Sequence, residues 1–221
     1  MTLVLLLSLL GGLILLDKWA LGEFGISQPL VACPLIGLIF GDFATGLSLG
    51  IALELVWIAG LPLGGKVLPD GQAAGVVAMA SYILGRSWTT PERLLFASLL
   101  FAALASLLGG YTDVVVRRFN SNLFRRAMNQ PSAGRIARYH FLGLVTSFLR
   151  GFFLVLIILL IFFAASPLFK FLPQFSHAEL LSLPLGIGIA SLFVLFFARR
   201  RIPFILTGFV VLGTVWLLFK L

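Results

Sequence analysis

The chain has 221 residues, of which 60% are hydrophobic and only 11% charged, and its mean hydropathy is +1.11. Soluble domains carry about 25% charged residues, so the composition excludes an ordinary soluble globule and points to an integral membrane protein. The net charge of +8 raises nucleic acid as a partner. However, the arginines gather in two clusters beside apolar runs, residues 117–138 and 199–201, which is how cytoplasmic ends of membrane segments look; nucleic-acid binding is rejected on that ground.

The first apolar run, residues 2–16, is interrupted by Gly11 and Gly12 and has no basic lead-in, so it reads as a retained segment rather than a cleaved signal. Residues 30–40, 43–63 and 73–84 follow. Most of these runs fall short of the about 20 residues that a crossing takes. Hydrophobic segments cut short by glycine and proline indicate broken or re-entrant helices. Backbone freed in this way survives at membrane depth only inside protein or beside a watery cavity.

In residues 85–93, the run Thr89-Thr90-Pro91-Glu92 predicts a helix start with proline at the first helical position. Residues 94–116 and 141–165 are long enough to span, and 180–198 and 203–218 are shorter candidates. The polar stretch 117–138 reads as a cytoplasmic loop, which places 85–93, 166–179 and the C-terminus outside. The expected fold is all-α: a single polytopic membrane domain over residues 1–221, with broken or re-entrant helices in 1–93 and spanning helices in 94–221.

Residues 41–71 hold what a bilayer tolerates least. Asp42, Glu54, Lys66 and Asp70 lie there with seven glycines and two prolines, Pro62 and Pro69. On a straight helix Asp42 and Glu54 end about 18 Å apart, so they are not a paired-carboxylate site. Gly46 and Gly50 between them form a smooth stripe that lets another helix approach. Glu54, flanked by Leu53 and Leu55 with Trp57 one turn on, must face the protein interior. It is either a functional carboxylate or the partner of a buried base such as Arg150. Asp70 precedes an apolar helical stretch and is a candidate N-cap. Asp70, Gln72 and Lys66 together offer a carboxylate, an amide and an amine, groups that suit sugar hydroxyls.

Arg150 falls about 14 residues into a helix that starts near Ile136, well inside the bilayer, so an acidic partner such as Glu54 or Asp42 is expected. The stretch from Gly60 to Val67 approaches a phosphate-binding loop, but Val67 stands where a hydroxyl would hold magnesium, and no strand precedes it. Nucleotide hydrolysis is rejected. Cys33 is alone and reads as a small core residue. His140 and His177 are far apart in sequence, so no metal site or other cofactor is expected.

Glu23-Phe24, Pro29-Leu30, Ala32-Cys33, Gly37, Gly41-Asp42, Thr45-Gly46, Gly50, Leu53-Glu54 and Pro69-Asp70 together resemble the IIC membrane subunit of the mannose/fructose/sorbose family of the bacterial phosphotransferase system. His140 followed ten residues later by Arg150 is a second match. The chain departs from the family's pattern at Pro62, where members often carry a polar residue, and Lys66 and Gln72 are not hallmarks of the family. The resemblance implies a sugar-translocating subunit in the bacterial inner membrane, assembled with a IID membrane subunit as a trimer of IIC–IID units among membrane lipids. A cytoplasmic IIB protein, charged by IIA, would phosphorylate the sugar, so no phosphorylated or nucleophilic residue is expected in this chain.

On this reading Glu54 and Asp70 line the sugar site, with Asp42, Gln72 and Lys66 as further candidates. Arg125, Arg126, Arg135 and Arg138 are the candidate IIB docking residues. The rival readings are an ion-coupled carrier that protonates Glu54 or Asp42, and a structural subunit that transports nothing.

Overall fold

A computed structural model describes residues 1–18, 20–57, 69–129 and 132–196, together with Gly213 and Trp216. The described residues form helices α1 (Thr2–Leu15), α2 (Pro29–Ile39), α3 (Phe43–Trp57), α4 (Gly71–Gly85), α5 (Pro91–Met128), α6 (Ala133–Ala165) and α7 (His177–Phe196). Tight helical turns follow α1 at Leu16–Lys18 and α6 at Ser166–Phe171. No strand occurs among the described residues, so the expected all-α class holds. Residues 203–218 apart from Gly213 and Trp216, and the 199–201 arginine cluster, like Lys66 and the stretch from Gly60 to Val67, lie outside the described residues.

Two of these helices are long and apolar enough to cross a membrane, α5 and α6, at about 57 and 50 Å. α1 to α4 have 11 to 15 residues each, or about 16–22 Å, less than the roughly 30 Å of a hydrocarbon core. Over their described lengths these helices are therefore shorter than a crossing, as the short apolar runs predict. Leu9, Leu13, Leu107, Phe153 and Ile157 stand exposed on α1, α5 and α6, a surface suited to lipid or a companion helix rather than water.

α4 is the centre of the packing. Ala73, Ala74, Val76, Val77, Ala78, Met79 and Ala80 are all fully buried, and α1, α2, α3, α5 and α6 all pack on it. Small side chains let so many helices approach one axis. α2 and α3 form a hairpin turned at Gly41, where φ is +77°, a value that favours glycine. The stripe of Gly46 and Gly50 closes this hairpin. A methyl group added at Gly46 would lie 2.6 Å from the Cys33 carbonyl oxygen and 2.9 Å from Pro34 Cα. Gly46→Ala is therefore expected to force the two backbones apart and cost about 1–3 kcal/mol. A thermal melt of the purified protein checks this, and an unchanged midpoint would mean that the contact contributes nothing.

α1 runs antiparallel to α6: Gly11 packs against Val155, Gly12 against Phe152, and Leu15 against Gly151. The first residue of α1 thus lies toward the Ala165 end of α6, and Lys18 lies near Arg150. As expected, α5 starts with Pro91 at its first position and Thr90 as N-cap.

The polar stretch 117–138 is not a loop. α5 continues to Met128, and α6 begins at Ala133, where the Ser132 hydroxyl accepts from the Arg135 amide at 3.3 Å. Arginine is a good helix former, and no glycine or proline occurs from Tyr111 to Gln130. Hydropathy marks where a bilayer ends, not where a helix does. The two helices therefore extend past the apolar zone as an arm that carries all six arginines, each exposed.

Candidate functional site

Where α4 begins, four charged side chains close a ring. Lys18 Nζ lies 2.9 Å from Asp70 Oδ1 and 2.8 Å from Asp113 Oδ2. Arg150 pairs with Asp70 Oδ2 through one guanidinium nitrogen and with Asp113 Oδ1, at 3.0 Å, through another. Charge alternates around the ring and sums to zero. The side chains of Asp70, Arg150 and Asp113 are 0%, 6% and 7% exposed, so water does little to screen these pairs.

Each member is positioned by local structure. Asp70 N-caps α4, accepting from the Ala73 amide at 3.1 Å, and its own amide donates to the Ser106 carbonyl of α5 at 2.8 Å. Gly109 allows this approach, because a Cβ there would come within 2.7 Å of Asp70 Cβ. Arg150 further donates to the Gly109 carbonyl at 2.8 Å and to the Thr112 hydroxyl at 3.3 Å. Lys18 is placed by its neighbour. Asp17 is buried and accepts from the Phe24 and Ser27 amides at 2.8 and 3.1 Å, which folds the loop after α1 back on itself.

The expected site residues divide. Asp70 is an N-cap, as read from the sequence, but it is also a ring member with both oxygens engaged. Glu54 stands at the inner end of α3 and accepts from the Leu30 amide at 3.1 Å, one of the unpaired N–H groups at the start of α2. Trp57, one turn on, packs directly over Gly71, next to Asp70 and the half-buried Gln72. Asp42 lies at the opposite end of α3, where it accepts from the Thr45 amide at 3.2 Å and pairs with Arg86 at 3.0 Å. The structure thus keeps Asp42 apart from the ring.

Arg150 pairs with Asp70 and Asp113, not with Glu54 or Asp42. The expectation erred because spacing along one helix cannot say which neighbour faces Arg150. Lys18 and Asp113 were missed, although one signal was available. Asp113 is an acid inside the apolar run 94–116, and an ionisable residue at membrane depth is a functional candidate by default. Of the proposed docking residues, Arg125 and Arg126 fall in the last turns of α5 and Arg135 and Arg138 in the first turns of α6, with Arg125 donating to Asn122 at 2.6 Å.

The family described as "PTS system sorbose-specific iic component" matches residues 1–218. The chain belongs to this IIC family. Its mannose-specific EIIC relative from Escherichia coli K12 is 35% identical over 65 residues, covering 29% of this chain and 24% of the relative. The sorbose-specific EIIC component of Klebsiella pneumoniae is 40% identical over the same length and shares. The fructose permease IIC component of Bacillus subtilis is 29% identical over 172 residues, or 76% of this chain and 61% of that one. The matches thus span about a quarter of the mannose and sorbose relatives and 61% of the fructose permease. A solved structure titled "Structure of membrane protein" superposes with a TM-score of 0.65 at 22% identity, covering 99% of this chain and 93% of that one. At that identity the likeness concerns the fold alone.

Proposed function

We propose that this chain is the sugar-translocating IIC subunit of a phosphotransferase permease, multi-pass in the bacterial cytoplasmic membrane. It works with a IID membrane subunit, as a trimer of IIC–IID units, and with a cytoplasmic IIB phosphocarrier charged by IIA. The observation that carries the reading is the ring around Asp70, where the short helices α1 and α4 meet the long helices α5 and α6 in a chain of this family. A sugar hydroxyl both donates and accepts hydrogen bonds. It can therefore insert between Lys18 and a carboxylate, donating to the acid and accepting from the amine, with no group left unmatched. Trp57 packs over Gly71 beside Asp70 and supplies an apolar face, Glu54 lies one turn before it on α3, Gln72 follows Asp70 by two residues, and Lys66 precedes α4 in the sequence. Asp42, beside Arg86, is a weaker candidate for the same path.

The test is sugar uptake into vesicles that contain the IIC–IID complex. Uptake that requires phosphorylated IIB and yields a phosphorylated sugar supports the proposal. Uptake driven by a pH or sodium gradient alone would identify an ion-coupled carrier instead. The complete pairing of Asp70 is also what a non-transporting structural subunit would show, and complexes that assemble but neither bind nor move sugar would establish that reading.

The arginine arm fits the IIB docking role. From Val114 to Ala178 the sequence contains no acid, so an acidic partner surface meets no repulsion there. Replacing Arg125, Arg126, Arg135 and Arg138 with glutamine is expected to lower IIB-dependent phosphorylation several-fold and to leave sugar affinity unchanged. If phosphorylation persists at the wild-type rate, these arginines serve only lipid headgroups, an attraction of about 1 kcal/mol each.

A further inference from the structure

We propose that the cleft between α5 and α6, on the arm side of the ring, is a product subsite that holds the phosphate ester of the transported sugar. The inference rests on the transport reading above and adds a second site to it. The cleft encloses about 360 Å³, within the range of small-molecule sites. Asn120, Tyr139, His140 and Ser147 give it an amide, a phenol, an imidazole and a hydroxyl, while Leu123 and Phe124 supply apolar surface. This mixture suits a sugar, whose hydroxyls need polar partners and whose ring faces are apolar.

Its place follows from helix geometry. Asn120 lies seven residues after Asp113, and Gly143 seven before Arg150. Seven residues are about two turns, so each pair shares one face of its helix. Ala20, two residues beyond Lys18, also lines the cleft. The cleft therefore continues the seam that holds the ring, toward the arm.

Charge then sorts the two sites. The two cations of the ring are already matched by two carboxylates, so it offers a phosphate dianion no net attraction. The arm contains six arginines and no acid, and a field of one sign concentrates the opposite charge. A neutral sugar gains nothing from that field, whereas its phosphate ester does. Phosphorylation thus moves the preferred position of the sugar from ring to cleft and opposes its return.

Gly143 permits a direct test. A Cβ added there approaches nothing closer than Asn120 at 3.9 Å, so a side chain can start from this wall of the cleft without a backbone clash, and leucine is long enough to occupy it. Gly134, at the start of α6, has nothing within 4 Å and gives a control on the same arm. Binding of the phosphate esters of mannose, fructose and sorbose, and of the unmodified sugars, is measured on the purified IIC–IID complex carrying Gly143→Leu, His140→Leu or Gly134→Leu. The first two are expected to weaken ester binding at least about tenfold and to leave binding of the unmodified sugar within about twofold. Gly134→Leu is expected to change neither.

Wild-type ester affinity in Gly143→Leu overturns the proposal. So does equal competition by inorganic phosphate or by phosphatidylglycerol vesicles, which would make the cleft a site for free phosphate or for a lipid headgroup. A complex that binds sugar but no ester refutes the subsite alone. One that binds neither refutes the transport reading itself.

Discussion

Arg150→Leu is expected to prevent assembly of the folded subunit, because breaking a buried ion pair from one side costs about 3–5 kcal/mol. The substitution removes one of the two cations of the ring, so a neutral ring gains a net negative charge where water is scarce. It also removes the donors to the Gly109 carbonyl and the Thr112 hydroxyl that tie α6 to α5. Adding Asp113→Leu restores neutrality, with Lys18 and Asp70 as the remaining pair, and is expected to recover much of the lost yield and thermal stability. Glu54→Gln or Asp42→Asn in its place is expected to recover nothing, since neither acid pairs with Arg150. Size-exclusion yield and melting midpoint of the purified complex read both outcomes. A double variant no better than Arg150→Leu alone would show that ring charge is not what fails.

Sugar affinity should fall by about one to two orders of magnitude in Glu54→Ala and in Asp70→Asn. Hydrogen bonds to a charged partner are worth about 1.5–3 kcal/mol each, and about 1.4 kcal/mol is tenfold in affinity. Glu54→Gln keeps an acceptor for the Leu30 amide and for a hydroxyl, so its loss is expected to be smaller than that of Glu54→Ala. Asp70→Asn keeps the cap on α4 while weakening both ring pairs. The measurement is equilibrium sugar binding in complexes first shown to assemble. Wild-type affinity in both Glu54→Ala and Asp70→Asn would place the sugar elsewhere, on the companion subunit. Failure to assemble in Glu54→Ala would mark that carboxylate as the cap of α2 and nothing more.

Much of the local structure could be read from residue order. The Pro91 helix start, the Asp70 cap and the Gly46–Gly50 stripe each depend on a few adjacent residues and the helix period, and all three stand in the structure. The arm is not legible in this way, because polarity marks the edge of the apolar zone and not a break in the helix. Partner choice within the site was misjudged for another reason. Lys18, Asp70, Asp113 and Arg150 come from four separate parts of the chain, with more than a hundred residues between the first and the last.

Composition and periodicity alone settled that the chain is an all-α membrane protein and that its early apolar runs are mostly too short to span. These properties follow from the transfer energetics of each residue by itself. Which charges neutralise one another was decided only when α1, α4, α5 and α6 packed. Helix period says which side of a helix a charge occupies, whereas the strength of a buried ion pair depends on the ångström-scale separation from a group on another helix, and only tertiary packing sets that distance.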